Sequence, residues 1–218
     1  MNIFLIRHGE SVQNTGENNL LKMADHQIYL TEKGKDQARR SAEALKEYIS
    51  GHPFLIKNER VWYSPYMRTT QTMKEFNKIM DFEEHGVDIR EDIRLVEQQF
   101  GLFDSVPEEL YGQCYPNEFA CWERFRSQRG KFYARTPMGE SPFDVAIRVK
   151  DFFGTIRRDY EKHDIDTLLI FTHGTTLRTF VMQYLHKSVD WYEKEKNPGN
   201  CWIRLIRDNQ DFGYIYKE

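Results

Sequence analysis

The chain has 218 residues, of which 39% are hydrophobic, enough to fill one core. We therefore predict a single domain over residues 1–218. The formal net charge of -3 gives no overall electrostatic reason to bind nucleic acid or an acidic membrane surface, so neither is expected as a partner.

Targeting and cysteine patterns narrow the setting further. The start of the chain lacks the pattern of a secretion signal, and no apolar run approaches the length of a membrane-spanning helix. Cys114, Cys121 and Cys201 are an odd and sparse set, which argues against a disulfide framework and is not typical of a zinc site. We predict a soluble, cytoplasmic protein with no metal site.

Strands alternate with helices along most of the chain. Residues 2–6 form a short apolar run typical of a buried strand, and after Thr31, a candidate N-cap, apolar residues recur at helical spacing. The same unit recurs twice, with strands and then helices at 61–63 and 66–80, and at 167–171 and 175–185. This alternation predicts an α/β fold, a three-layer sandwich in which helices flank a mainly parallel central sheet.

Three further segments complete the chain. A predicted helix over 141–162 carries an apolar stripe, interpreted as core, that consists of Val145, Val149, Phe152, Ile156 and Tyr160. Residues 98–138 are rich in aromatic side chains and interrupted by Gly and Pro, which predicts a lid-like insertion with one helix at 118–127. A terminal hairpin is expected from strands at 202–206 and 212–216.

The residues that could take part in a reaction begin where the first strand ends. Arg7-His8-Gly9-Glu10 follows residues 2–6, and ligands of open α/β sheets bind beyond the carboxyl ends of the strands. Arg offers paired donors to a phosphate, a neutral imidazole can attack phosphorus, and Gly allows close backbone approach. Taken alone, the motif favours a solvated Arg-His pair in a turn.

A second histidine changes that balance. Thr172-His173-Gly174 follows the strand at 167–171, so two His-Gly pairs lie at equivalent strand ends. Arg68 falls in the first turn of the helix at 66–80, where a cation opposes the helix dipole unless an anion binds there. These positions predict an anion site between the three units.

In this order the motifs resemble those of the histidine phosphatase superfamily, the phosphoglycerate mutase-like proteins, and of its phosphatase branch in particular. The resemblance covers nearly the whole chain except the 98–138 segment and the terminal hairpin. The matching residues are Arg7-His8-Gly9-Glu10-Ser11 with Asn14, Leu30-Thr31, Gly34 with Gln37-Ala38, Ser64-Pro65 with Arg68 and Gln71-Thr72, Gly139-Glu140-Ser141, and Thr172-His173-Gly174 with Arg178. An isolated Arg-His-Gly is weak evidence, but the ordered series is specific.

The resemblance implies a role for each group. His8 is expected to be the nucleophile, while Arg7, Arg68 and a protonated His173 hold the phosphate and balance its charge without a metal ion or other cofactor. Further phosphate-binding candidates are Asn14, Thr31 and Gly174, although Thr31 is as well explained as a helix cap.

The proton donor is assigned less directly. The family's Glu, followed four residues later by Gly, matches Glu97 and Gly101. Glu91, Asp92 and Asp104 are nearby alternatives. Among the remaining polar residues, Lys131 and Arg135 are interpreted as a solvated face rather than as substrate contacts. Surface positions are expected for His26, His52, His85, His163 and His186.

The resulting hypothesis is a metal-independent phosphomonoesterase that forms a phosphohistidine on His8 and acts on a small phosphorylated substrate. The main alternative is a phosphoglycerate mutase with the same pocket. The 98–138 segment departs from the mutase pattern, with Phe103-Asp104 in place of the usual small residues after Gly101, and this favours a phosphatase. A non-catalytic module that binds phosphorylated ligands is disfavoured, because both histidines, both arginines and a candidate acid are present. The substrate and the oligomeric state stay open.

Overall fold

The centre of the fold is a six-stranded sheet formed by the residues that the computed structural model describes, which are 1–15, 23–52 and 58–218. Its strands are β1 (Asn2–Arg7), β2 (Glu59–Tyr63), β3 (Asp88–Glu91), β4 (Thr167–Thr172), β5 (Ile203–Arg207) and β6 (Gln210–Tyr216). Their spatial order is β3-β2-β4-β1-β5-β6. The strands β3, β2, β4 and β1 are parallel to one another, and β5 pairs antiparallel with both β1 and β6. The predicted mainly parallel sheet is confirmed.

Helices cover both faces of this sheet. They are α1 (Glu32–Ser50), α2 (Met67–Met80), α3 (Tyr111–Cys114), α4 (Pro116–Arg129), α5 (Pro142–His163), α6 (Gly174–Tyr184) and α7 (Val189–Lys194). Ile3 and Leu5 of β1 lie in a core formed with α5 and α6. Phe4 and Ile6, on the other side of the strand, lie in a core formed with α1 and α2. Within the described residues, no helix is both long enough and apolar enough to span a membrane.

Side-chain caps begin two of the long helices. Thr31 precedes α1, and its hydroxyl accepts a hydrogen bond from the Gly34 amide at 2.9 Å. Ser141 precedes α5 in a reciprocal capping box with Asp144. Both helices therefore begin where the sequence predicts.

The apolar stripe of α5 ends one turn earlier than predicted. Val145, Val149, Phe152 and Ile156 are buried, but Tyr160 is 53% exposed, so its assignment to the core is wrong. Asp159 takes the core-facing position instead, where it pairs with Arg60 and accepts a hydrogen bond from the Trp62 indole at 2.8 Å. A carboxylate at this position is not visible in a pattern of apolar residues.

The 98–138 segment has its own aromatic packing. Its helix α4 extends the predicted 118–127 by two residues at each end, and short helical turns precede it. Phe103 stacks on Tyr111 at a centroid distance of 4.0 Å, and Trp122 meets Phe103 edge-on at 5.6 Å. Most of the aromatic composition therefore serves packing within the segment.

Of the two edges of the sheet, one is predicted from the sequence and the other is not. The terminal hairpin is confirmed, with its turn at Asp208 and Asn209, both at positive φ. The edge strand β3 is absent from the prediction, because its sequence Asp-Ile-Arg-Glu holds one apolar residue and gives little strand signal. The short helices α3 and α7 are also absent from it.

Gly34 in α1 and Gly51, the residue that caps its C-terminus, offer a test of how closely this helix approaches the loop after β1. A Cβ added at Gly34 would lie 2.0 Å from the Glu10 carbonyl oxygen, whereas one at Gly51 would meet nothing nearer than 3.6 Å. We expect Gly34→Ala to lower the free energy of unfolding by about 2 kcal/mol, although Gly to Ala in a helix ordinarily raises it. Urea unfolding of Gly34→Ala beside Gly51→Ala measures the difference, and equal stability of the two variants would contradict the close approach.

Candidate active site

Two buried histidines meet beyond the carboxyl ends of adjacent parallel strands. His8 follows β1, His173 follows β4, and the strand register sets Arg7 opposite Thr172. The two imidazole rings therefore lie at the same level, with centroids 5.2 Å apart and planes tilted by 59°. Solvent reaches only 3% of His8 and none of His173. The structure thus brings the histidines of the two motifs together.

A backbone contact fixes which ring nitrogen of His8 carries hydrogen. Nδ1 lies 2.8 Å from the carbonyl oxygen of Gly9, which can only accept, so Nδ1 is the donor. In the neutral ring, Nε2 then keeps its lone pair. No described residue forms a hydrogen bond with this Nε2. It is the nitrogen of His8 that is available to an electrophile.

The tautomer of His173 is set by two neighbours. Its Nδ1 accepts a hydrogen bond from Nε of Arg68 at 3.3 Å, so the ring hydrogen lies on Nε2. Nε2 is 2.8 Å from the hydroxyl of Ser64, which is fully buried at the end of β2. Three strand ends therefore contribute to one site.

Both imidazoles are held in the neutral form. Burial lowers the pKa of His8 well below its usual range, and the charges of Arg7 and Arg68 lower it further. Burial also lowers the pKa of His173, with Arg68 and His8 acting in the same direction. The protonated His173 expected from the sequence therefore requires negative charge brought into the site.

The two arginines of the site are anchored differently. Arg68, in the first turn of α2, is 2% exposed and donates from Nη1 to the Asp25 carboxylate at 2.9 Å and to the Asp25 carbonyl at 2.8 Å. Arg7 donates to the carbonyl of Pro198, while its buried Nε has no partner in the described chain. Burial lowers the pKa of Arg7. The sequence motifs give no sign of Asp25 as a counterion.

Glu97 lies against the start of α6. Its Oε1 accepts from the Gln98 amide at 2.9 Å, and its Oε2 is 3.4 Å from the amide of Thr175, two residues after His173. This carboxylate is half-buried beside the two imidazoles' strand ends.

The competing carboxylates have other surroundings. Glu91 is exposed on β3, and Asp92 caps a short 3-10 helix and pairs with Arg94. Asp104 is partly buried, and its burial, together with the charge of Asp25, raises its pKa to about 6. Of the three, only Asp104 lies close to the site's arginines.

Two of the remaining predicted phosphate ligands already form hydrogen bonds within the protein. Asn14 accepts from the Ser11 amide at 3.0 Å and from Asn200 at 3.2 Å through its Oδ1. The Thr31 hydroxyl caps α1 and contacts Glu10 at 3.0 Å, which supports the reading as a helix cap. Gly174 is the first residue of α6.

An arginine that the sequence analysis did not single out organises the loop of Glu97. Arg148 of α5 donates to the carbonyl of Glu97 at 3.0 Å and to that of Arg94 at 2.6 Å. Glu140 holds Arg148 at 3.0 Å and also accepts from the Gln99 amide. The Gly139-Glu140-Ser141 motif therefore acts as a support for the loop rather than as part of the pocket.

A cavity of about 340 Å³ adjoins these residues. Its wall includes Gln98, beside Glu97, and Thr175, near His173. Lys131 and Arg178 also line it, whereas Arg135 is 64% exposed and pairs with Asp144. The interpretation as a solvated face fits Arg135, whereas for Lys131, which is partly exposed in the cavity wall, it stays a prediction. The five other histidines are exposed, as predicted.

In the part of the chain that the structure describes, no group of three or more His, Cys, Asp or Glu side chains could hold a metal ion.

Comparison with known proteins gives a consistent picture. Residues 3–215 match the family model of the histidine phosphatase superfamily, branch 1. A phosphoglycerate mutase-like protein of Arabidopsis thaliana is 32% identical over 97% of this chain, which spans 66% of that protein's length. A broad-range acid phosphatase of Saccharomyces cerevisiae is 26% identical over 94% of this chain and 84% of its own. A solved mycobacterial glucosyl-3-phosphoglycerate phosphatase superposes with a TM-score of 0.71 at 20% identity, covering 94% of this chain and 92% of that one, and shows the shared fold.

The buried imidazoles predict an unusual titration. Because burial and the nearby arginines oppose protonation, the ring resonances of His8 and His173 should stay unchanged between about pH 8 and pH 6, where free histidine titrates. NMR of ring-labelled protein measures this, with His8→Gln and His173→Gln assigning the signals. A midpoint near 6.5 for either ring would contradict the proposed electrostatics.

Asp104 predicts a pH-dependent stability. Its folded-state pKa of about 6 lies above the unfolded value, so the folded protein binds more protons and stability falls as pH rises through this range. Asp104→Asn should therefore stabilise the protein at pH 7.5 by about 1 kcal/mol, a figure reduced for partial solvent exposure. Thermal unfolding of both proteins at pH 4 and 7.5 provides the comparison. A stabilisation that is equal at the two pH values would point to packing instead.

Proposed function

Because the chain belongs to the histidine phosphatase superfamily, we propose that it is a metal-independent phosphomonoesterase in which His8 carries the phosphoryl group between substrate and water. The observation that carries the proposal is the state of His8. Its ring is neutral, its Nδ1 hydrogen is fixed on the Gly9 carbonyl, and its Nε2 lone pair is free. A buried nucleophile that is already deprotonated needs no separate base.

The first step moves the phosphoryl group to the enzyme. Nε2 of His8 attacks phosphorus, the bond between phosphorus and the ester oxygen breaks, and Glu97 in its acid form gives the departing oxygen a proton. The positive charge that develops on the ring is stabilised by the Nδ1–H···O contact to Gly9. Asp104, with its raised pKa, is the alternative acid.

Charge compensation comes from three side chains. Arg7 and Arg68 lie close enough to both imidazoles to lower their pKa values, so they also lie close to a phosphate placed between the rings. The phosphate's own charge raises the pKa of His173. Protonation then places a hydrogen on Nδ1, which gives up its bond from Arg68 Nε, so both groups become donors to the phosphate. The partnerless Nε of Arg7 supports this placement, because a buried guanidinium donor without an acceptor is costly.

The second step regenerates the enzyme. Water attacks phosphorus, Glu97 as carboxylate takes the water proton, the bond to Nε2 breaks, and inorganic phosphate leaves. The amide of Gly174 at the start of α6 and the side-chain amide nitrogen of Asn14 are the proposed further phosphate donors. Thr31 takes no part beyond its cap.

The decisive experiment follows phosphate release from an aryl phosphate with chelator present. We expect His8→Gln to lower the rate by a factor on the order of 10³ or more, because the covalent route is lost. His186→Gln, a substitution of an exposed histidine, should leave the rate unchanged. A His8→Gln variant that keeps most of the activity would contradict the proposal.

Glu97→Gln separates the two steps. An activated aryl leaving group needs little protonation, whereas the attacking water still needs a base, so phosphohistidine should accumulate and turnover should fall by about 10²- to 10⁴-fold. Rapid quench at alkaline pH followed by mass spectrometry of the His8 peptide measures this. Exchange of phosphate between 2- and 3-phosphoglycerate without release to water would favour a mutase, and binding without either reaction a non-catalytic module.

A further inference from the structure

The wall of the cavity beside the site holds more cations than carboxylates. Its walls hold three cations, Lys131, Arg178 and Arg126, and one carboxylate, Glu108. Arg126 pairs with Glu108 at 3.1 Å, whereas Lys131 and Arg178 form no ion pair within 4.0 Å among the described residues. Half-buried and buried cations are usually paired, so this pair needs an explanation.

Arg178 is the more constrained of the two. It is 7% exposed on α6, and its terminal nitrogens donate to the carbonyl of Glu195 and the hydroxyl of Tyr192, both at 2.9 Å. These acceptors are neutral, and the buried Nε has no partner in the described chain. The Tyr192 ring lies 4.3 Å below the guanidinium. Arg178 is therefore fixed in place by neutral groups, without an ion-pair partner among the described residues.

The position of the pair separates it from the reacting phosphate. Lys131 and Arg178 line the cavity, whereas Arg7, His8, Arg68 and His173 are not among its lining residues. The anion that Lys131 and Arg178 suit is thus a different group from the one between the imidazoles. Both groups belong to one ligand if that ligand fills the cavity.

The walls between the two charged regions are aromatic. Phe100, Tyr111, Trp122 and Tyr192 all line the cavity. Stacked and edge-on contacts hold Tyr111 and Trp122 against Phe103, so these rings form a preformed surface. A flat, ring-bearing group packs well against such a surface. The cavity volume of about 340 Å³ lies in the range of small-molecule sites.

We propose that the substrate is a phosphomonoester whose alcohol portion carries a flat ring and a second anionic group, carboxylate or phosphate, which Lys131 and Arg178 bind. This specificity rests on the proposed phosphatase function. Lys131 contributes a flexible point charge and Arg178 a fixed planar one, so the site accepts either anion chemistry. A neutral leaving group of the same shape leaves both cations uncompensated.

The test compares matched aryl phosphates. Phenyl phosphates with a carboxylate at the 3- or 4-position differ from the corresponding carboxamides almost only in charge, and phenylene bisphosphates supply the phosphate arm. We expect kcat/KM of the wild type to be about tenfold higher for the best anionic compound than for its amide, and the ratio to shrink as salt is added. Equal rates for every anionic and neutral pair would overturn the proposal.

The variants locate the effect. Lys131→Met keeps the apolar stem and removes the charge, so it should lower kcat/KM for the anionic substrate about tenfold, through KM, and leave the amide unchanged. Lys150→Met, an exposed lysine on α5, is the matched control and should change neither value. An equal loss on both substrates in Lys131→Met would indicate a packing role and reject the anion site.

Binding to a variant without the nucleophile keeps this test independent of turnover. Calorimetry with His8→Gln measures the Kd of the carboxylate and the amide, and Lys131→Met in that background should abolish the difference. Failure of the wild type to hydrolyse any compound would overturn the phosphatase proposal alone. An unchanged preference after Lys131→Met, or none before it, would overturn the anion site alone.

Discussion

The parallel pairing of β1 with β4 is the constraint on which the site depends. Its register sets the last residues of the two strands, Arg7 and Thr172, opposite each other, so the next residue of each chain segment is a histidine at the same level. A shift of one residue would turn one imidazole into the opposite face of the sheet, because side chains alternate along a strand. The apolar cores on both sides, with Ile3 and Phe4 on opposite faces, fix that register. Core packing is therefore what sets the distance between the two rings.

That placement is electrostatically unfavourable in the protein alone. Arg7 and Arg68 bring positive charge to a buried region and hold both imidazoles neutral. Asp25 balances Arg68 only, and its own charge raises the pKa of Asp104 nearby. Negative charge placed between the rings would offset the charges of Arg7 and Arg68. Under the proposed function, the same arginines that are costly in the protein alone provide affinity for phosphate and preorganisation for transfer.

The sequence allowed good prediction where a residue's role follows from local pattern. The strand ends, the helix that begins after Thr31 and the convergence of His8 with His173 all depend on short-range periodicity and on the general geometry of α/β sheets. The counterion Asp25 could not be predicted, because it reaches Arg68 from 43 positions away without a motif of its own. The core-facing position of Asp159 could not be predicted for a related reason, since only the structure shows that Arg60 lies opposite it.

Lys131 illustrates the limit more sharply. In the sequence Lys131 stands four residues before Arg135, and a pattern of charges treats the two cations alike. Only the fold sends Arg135 outward to Asp144 and places Lys131 in the cavity wall. To distinguish a solvated charged side chain from one that could bind a ligand, one must know which charged side chains already form ion pairs. That is a property of the tertiary structure.

Glu97, the proposed acid, and most of the cavity wall come from different parts of the chain, although they adjoin. The loop of Glu97 is held to the β4–α6 unit by hydroxyls, since Thr172 donates to the carbonyl of Leu95 at 2.8 Å and Thr176 to that of Val96 at 2.6 Å. Much of the cavity wall instead comes from the 98–138 segment, whose rings pack mainly on one another. Substitutions in that segment can therefore change the cavity without disturbing the distance between the imidazoles. Under the proposed function, this separation would let one reaction centre serve phosphomonoesters with different leaving groups, because the sheet would position the phosphate and the segment would select the alcohol.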